Sequence, residues 1–176
     1  KDISKMVISL GKLLRISISQ NQELILLHME FEHVRHYMDI QKYRFEDKFS
    51  YSINIPERLK VYMTQKLIVQ PIVENALYHA IEEMEEPGTI EIEASEVGSD
   101  IIITVKDNGP GFNLISLQSL WDNEISNQKK FKDNGVGLKN VHERLNIQFN
   151  SPYGILVCSS PGFGSTIRIR IPKILP

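Results

Sequence analysis

Asp107-Asn108-Gly109-Pro110-Gly111-Phe112 closes an apolar run that begins after Asp100. A carboxylate at the end of a buried strand can form the polar floor of a ligand pocket, and Gly109 and Gly111 leave room that a side chain would block. The same residue types also make an ordinary tight turn. Gly135 and Gly137 stand just ahead of a helical stretch, where bare amides and the helix dipole make an anion site. They read equally well as a hinge between loop and helix. Asn75, inside "QPIVENALYHA" (70–80), is a hard oxygen donor, a solvated side chain or a partner in a core hydrogen bond. Taken singly, these residues leave both readings open.

The elements that must position them follow from periodicity. Leu24, Leu27, Phe31, Val34, Met38, Gln41 and Phe45 recur at spacings of three and four, predicting a long amphipathic helix over 22–45 that packs along a narrow seam. Ile3, Met6, Leu10 and Leu13 keep the rhythm upstream, and the polar stretch 17–21 can turn, so the first part reads as a helical hairpin. At Phe49 the period changes: Phe49, Tyr51, Ile53 and Ile55 alternate with polar residues as in a half-buried strand, which sets a domain boundary near residue 48. Residues 66–84 read as a helix with Pro71 near its start or at a kink. Strands follow at 89–95 and 100–106, a long loop over 113–134, a helix over 136–149 and closing strands at 154–159 and 165–171. The sum is an open sheet faced by helices. Leu117, Leu120, Trp121 and Phe131 make the loop more apolar than solvation needs, as in a lid that closes over a ligand or packs on a neighbour.

Composition narrows the partners. The chain has 176 residues, 41% of them hydrophobic, enough for one ordinary domain and a small appendage. With 20 basic and 22 acidic side chains, nothing points to nucleic acid or an anionic membrane surface. One cysteine excludes an internal disulfide framework and Cys-based zinc, and Cys158 in "ILVCSS" reads as core packing. No apolar run reaches the ~18 residues of a membrane span. The chain opens on Lys1 rather than Met, as expected of a piece of a longer protein. His28, His33 and His36 read as flank or surface residues of the long helix, although the His33–His36 spacing also permits a shared metal. Lys139 and Arg144 read as a solvated face, and His142 as structural.

Four stretches, "QPIVENALYHA" (70–80), "DNGPGF" (107–112), "NGVGLKNVHERL" (134–145) and "GFGSTIRIRIP" (162–172), lie in order on a helix, after a strand, at a helix start and entering a strand. Together they resemble the N, G1, G2 and G3 boxes of the ATPase superfamily of gyrase, heat-shock chaperone, histidine kinase and mismatch-repair protein. The wording "QPIVENA", preceded by "LLRISIS" and "YMDIQKYRF", is most similar to the LytS/YehU-type sensor histidine kinases.

The resemblance implies an α/β fold: a two-layer α+β sandwich of the Bergerat ATP-binding type, with a mixed sheet faced by helices and an N-terminal helical segment. Residues 1–48 would be part of a dimerisation hairpin and 49–176 the ATP-binding catalytic domain. It makes Asp107 the reader of the adenine N6 amine, with Gly109, Gly111 and Phe112 in the base pocket and Ser165 beside Asp107 where Thr is common. Asn75 becomes the Mg²⁺ ligand, an amide oxygen suited to a hard ion that also grips phosphate. His79 and Tyr78 lie toward the phosphates, Gly135 and Gly137 hold them, and Val136 and Leu138 add backbone and apolar contacts. Pro71 stands where hydrolytic members carry a water-activating Glu, which favours phosphoryl transfer over hydrolysis; Glu74 is the one candidate to assist.

The acceptor histidine of the family lies in a "PHFxFN" stretch that this chain lacks, which places it upstream of Lys1 and leaves the chain unable to autophosphorylate alone. The implied parent is a homodimer anchored in the cell membrane with this chain cytoplasmic, passing phosphate to a response regulator. No nucleic acid and no membrane contact by this chain are expected. Two other readings share the boxes: an anti-sigma-type serine kinase, and a nucleotide-sensing interaction module without turnover. Trp121 is the sole tryptophan, so lid closure predicts a change in its emission when ATP and Mg²⁺ are added; an emission unchanged at saturation would contradict closure.

Overall fold

The structure, a computed structural model, describes residues 2–18, 23–82, 84–113 and 136–176, apart from the side chains of residues 2–5, 16–18, 79, 80 and 136. In chain order the elements are α1 (Asp2–Ile18), β1 (Leu24–Leu26), α2 (Leu27–Phe45), β2 (Phe49–Asn54), β3 (Met63–Gln65) and α3 (Gln70–Asn75), which continues as a π-helix over Ala76–Ile81. There follow β4 (Gly88–Val97), β5 (Asp100–Asp107), α4 (Val136–Phe149), β6 (Gly154–Ser159) and β7 (Ser165–Pro172).

Five strands form a mixed sheet in the order β2-β4-β5-β7-β6. Among the described residues only β2 and β4 run parallel, with Tyr51 opposite Ile90; the other neighbours are antiparallel. One face is buried and the other open: in β4, Ile90, Ile92 and Ala94 are buried while Thr89, Glu91 and Glu93 between them are exposed. Helices α2, α3 and α4 cover the buried face, giving the two-layer α/β arrangement expected. Its alternation is what two-layer packing requires of a sheet wetted on one side. Cys158 lies on the open face of the edge strand β6 and is exposed, not core as its apolar neighbours implied. Alternation explains the difference, since Ile155 and Val157 take the inward positions.

Two boundaries differ from the periodicity. The first helix of the sheet unit starts at Leu27, because Leu24–Leu26 is a short strand paired antiparallel with Met63–Gln65, and the Leu27 amide bonds the Tyr62 carbonyl at 2.8 Å. Leucines at 24 and 27 satisfy a helical spacing whichever conformation they adopt. Nor does α3 begin at 66. Leu67 has a left-handed backbone (φ 57°), and the helix starts at Gln70 with Pro71 in its first turn, where a missing amide proton leaves nothing unpaired.

Helix α2 buries more than a seam. Leu27, Phe31, Val34, Tyr37, Met38 and Phe45 form one cluster with the inward residues of the sheet, while α1 packs on another side. His33 is buried in this helix rather than on its flank; His28 is half-buried, with Nδ1 3.2 Å from the Lys60 carbonyl. Phe31 is 3% exposed and Ile147 on α4 83% exposed. In urea unfolding, Phe31→Ala is expected to cost about 3–5 kcal/mol, and Ile147→Ala to stay within about 0.5 kcal/mol of the parent.

Candidate functional site

Asp107 ends β5 between Ile90 of β4 and Ser165 of β7. It is 6% exposed. Oδ1 accepts the Gly109 amide proton at 2.9 Å, closing a tight turn, so a turn and a buried carboxylate are present together. Ser165 gives both its amide and its hydroxyl to the carboxyl. Burial pushes the Asp107 carboxyl above the usual range, and the Gly109 and Ser165 bonds draw it only partly back.

The glycines near it are needed for backbone against backbone. Gly111 has φ 63°, and a Cβ there would stand 2.2 Å from the Ser160 carbonyl oxygen. Thus the room it leaves is occupied by the turn after β6. Gly164, at φ 73°, would bring a Cβ to 2.2 Å from the Asp107 carbonyl oxygen. Around this contact the Gly162 amide bonds the Pro110 carbonyl at 2.6 Å and the Phe112 amide bonds Ser159 Oγ at 2.9 Å. Ser159 Oγ lies 3.1 Å from Ser165 Oγ. The turns after β5 and β6 are interlocked, with Gly109 buried and Phe112 half-buried.

Helix α3 packs on both the sheet and α4. Its π-helical end packs on β4 and β5, and Ile81 Cδ1 fills the space a Cβ on Gly88 would need, 2.1 Å away. At the other end, a Cβ on Gly137 would lie 3.8 Å from Pro71 Cβ. Asn75, half-buried, sits between these ends. Glu74 and Tyr78 turn toward α2. Glu74 accepts from Gln70 Nε2 at 2.7 Å, and its charge adds to burial in pushing the Tyr37 phenol up. The Tyr78 hydroxyl accepts from Arg44 Nη1 at 2.7 Å, and the Arg44 guanidinium lies 4.9 Å from the Tyr78 ring centre. Leu138 is buried in the core, leaving its backbone as the part that can face a ligand. The side chains of His79 and Val136, all of Gly135, and the loop residues Leu117, Leu120, Trp121 and Phe131 lie outside the described residues.

Two residues carry more than periodicity assigned them. Glu30, fully buried on α2, accepts the amides of Leu67, Ile68 and Val69 at 2.8, 2.9 and 2.9 Å. Arg144, expected on a solvated face, instead donates to the Lys66 and Leu67 carbonyls at 2.7 and 3.2 Å. A glutamate inside the apolar stripe of α2 was the available signal, together with a helix start at Pro71 that has no Ser, Thr, Asp or Asn just before it. Lys139 pairs at 3.9 Å with Glu143, a surface contact of small energy. His142 is structural as expected, its Nδ1 accepting the Ile155 amide at 3.2 Å.

The family described as histidine kinase-, DNA gyrase B-, and HSP90-like ATPase matches residues 64–174, and the histidine kinase family matches residues 1–49. Sensor histidine kinase YesM of Bacillus subtilis is 38% identical over 172 residues, 98% of this chain and 28% of that protein. Sensor protein LytS of Streptococcus agalactiae is 31% identical over 170 residues, 95% of this chain and 28% of its own length. The chain therefore spans about 28% of the curated relatives it matches. Among solved structures, the catalytic domain of histidine kinase ThkA superposes with a TM-score of 0.62 at 14% identity, over 86% of this chain and 95% of that one. The histidine kinase domain of a blue-light activated kinase from Erythrobacter litoralis gives 0.57 at 17%, over 98% and 75%. At such identities the superpositions speak for the fold.

Gly164→Ala forces a left-handed alanine into the Asp107 carbonyl. The expected loss is about 1–3 kcal/mol in urea unfolding. Gly98→Ala also has a positive φ but nothing within 4 Å of the added Cβ, so it is expected to lose less.

Proposed function

The chain belongs to the sensor histidine kinases, within the histidine kinase-, DNA gyrase B- and HSP90-like ATPase family, and from that premise we propose that it holds ATP for transfer of the γ-phosphoryl to a histidine upstream of Lys1. The observation that carries this reading is the corner at Asp107: a buried carboxylate opposite Ser165, at the end of a strand on which the π-helical end of α3 packs, while Gly137 lies beside Pro71 at the start of that helix.

In this reading Asp107 accepts the adenine N6 proton, while Ser165 holds the carboxylate in place and Phe112 borders the base with the Gly109–Gly111 turn. His79 and the amides of Gly135 to Leu138 serve the phosphate end, where the first turn of α4 favours negative charge, while Tyr78, expected there from its place after Asn75, turns to Arg44 and packs α3 on α2. Asn75 lies between, a neutral oxygen donor. Among the described residues no three His, Cys, Asp or Glu side chains gather to hold a metal. That donor set fits Mg²⁺, which takes one or two protein oxygens and completes its shell with phosphate and water; when bound, it would neutralise the triphosphate. Pro71 offers no base for water, and Glu74 is already hydrogen-bonded to Gln70. Attack by an imidazole nitrogen forms the phosphorus–nitrogen bond as the bond to the leaving ADP oxygen breaks. Buried His33 and hydrogen-bonded His142 suit structural roles.

In the parent protein a second copy would pack on α1, where Val7, Ile8, Leu10 and Leu14 are exposed. The phosphoryl group would pass on to a response regulator, with the parent anchored in the cell membrane. No helix among the described residues is long and apolar enough to cross a membrane.

Calorimetry tests the nucleotide site. Mg-ATP binds the parent chain, Asp107→Asn weakens adenosine about tenfold or more, and Asn75→Ala removes the dependence of ATP affinity on Mg²⁺. Adenosine binding that survives Asp107→Asn unchanged would overturn the assignment. Acidity gives a second measure. The accepting form of Asp107 is the carboxylate and its pKa is raised, so as pH is lowered adenosine affinity should begin to fall before the ordinary Asp value near about 3.9 is reached; Asp107→Asn should abolish that slope. A longer chain including the upstream histidine should take label from γ-labelled ATP in acid-labile, base-stable form. Label absent from such a chain that binds ATP would favour a sensing module, and acid-stable label a serine kinase.

A further inference from the structure

The bend Lys66 to Val69 is gripped from two sides by opposite charges. Glu30 Oε1 accepts the Ile68 and Val69 amides and Oε2 the Leu67 amide. From α4, the two terminal nitrogens of Arg144 donate to the Lys66 and Leu67 carbonyls. The left-handed backbone of Leu67 places it in both sets, giving its amide to the carboxylate and its carbonyl to the guanidinium.

We propose that Glu30 and Arg144 are positioning residues that fix the first turn of α3 against the first turn of α4, and so set the phosphate end of the nucleotide site. The proposal deepens, and rests on, the ATP-binding reading above. The bend enters α3 directly, and that helix has no side-chain cap of its own. Ile72 and Val73 both bond back to the Val69 carbonyl, so the amides Glu30 holds determine where the first turn begins. One residue earlier than Ile72, Pro71 lies against Gly137. Arg144 belongs to the same helix as Gly137, two turns further along. Moving the bend therefore moves Pro71 relative to the amides that would meet phosphate. Burial pushes the Glu30 carboxyl up; the three amides and Arg144 oppose that rise.

The test titrates the whole chain with adenosine and with Mg-ATP and follows the ratio of the two dissociation constants. In Glu30→Gln the side-chain NH2 must face at least one of three N–H donors, which then loses its acceptor. The expected result is a ratio compressed about tenfold, with adenosine affinity itself unchanged. Arg144→Met should compress it similarly, and the double variant by less than the product of the two, since both act on one bend. Arg144→Lys keeps the charge without the planar fork and should restore the ratio only in part, which provides a mild variant if Glu30→Gln does not fold. A merely structural role would lower the urea midpoint and leave the ratio of the folded protein alone, and that result overturns the proposal. Failure of the parent chain to bind either ligand would remove the nucleotide reading as well, whereas normal parent binding with unchanged variant ratios removes the positioning role only.

Discussion

Glu30 has no exposure to water, and the three amides that hold it belong to consecutive residues. An isolated carboxylate in such a place would be strongly disfavoured, and charge-assisted bonds to N–H groups are what make burial tolerable. Much of the arrangement depends on this contact. It converts a stretch with no ladder of its own into a fixed entry to α3, and it ties α2, whose apolar residues share the core of the sheet, to the polar corner. Because the charge sits on α2 and its counter-charge on α4, three helices meet at one bend.

The opposite corner solves a related problem with different means. Asp107 is also buried, but its partners are local: the second amide along and the hydroxyl and amide of the facing strand. Here close backbone approach sets the geometry, through Gly111 and Gly164, which let two turns interlock where any side chain would separate them. Burial raises this carboxyl while the amide and hydroxyl bonds favour its charged form, so the acceptor at this corner is poorly hydrated and held by protein donors instead of water. Between the corners, α3 is the shared wall.

Much of this was readable in the sequence, for reasons that are local. Alternation in β4 and β5 and the three-four spacing in α2 are properties of single segments, and they gave the layers and the covering helices. The three-residue strands β1 and β3 escaped because so short a segment has no period, and leucines 24 and 27 fit helix and strand alike. Asp107 and its turn were legible because the residue types needed for both lie side by side. Glu30 and Arg144 were not: each acts on residues 66–69 from elsewhere in the chain, and an acidic residue in an apolar stripe announces a partner without saying which. Tyr78 turns to Arg44 and Phe45, a direction fixed by tertiary packing with α2 rather than by its place after Asn75.

The π-helical end of α3 has a bearing on the length of that wall. Over Ala76–Ile81 the ladder widens, with the Glu82 amide reaching back five residues to Leu77 at 3.0 Å. In an α-helix one additional residue would rotate everything after it by about 100°. A widened turn absorbs the surplus instead, so Ile81 still drops onto Gly88 while Asn75 keeps its own orientation. Shortening the segment by one residue would tighten it to ordinary pitch and leave both termini facing as they do, whereas the same deletion before Asn75 would turn that side chain by about 100° about the helix axis.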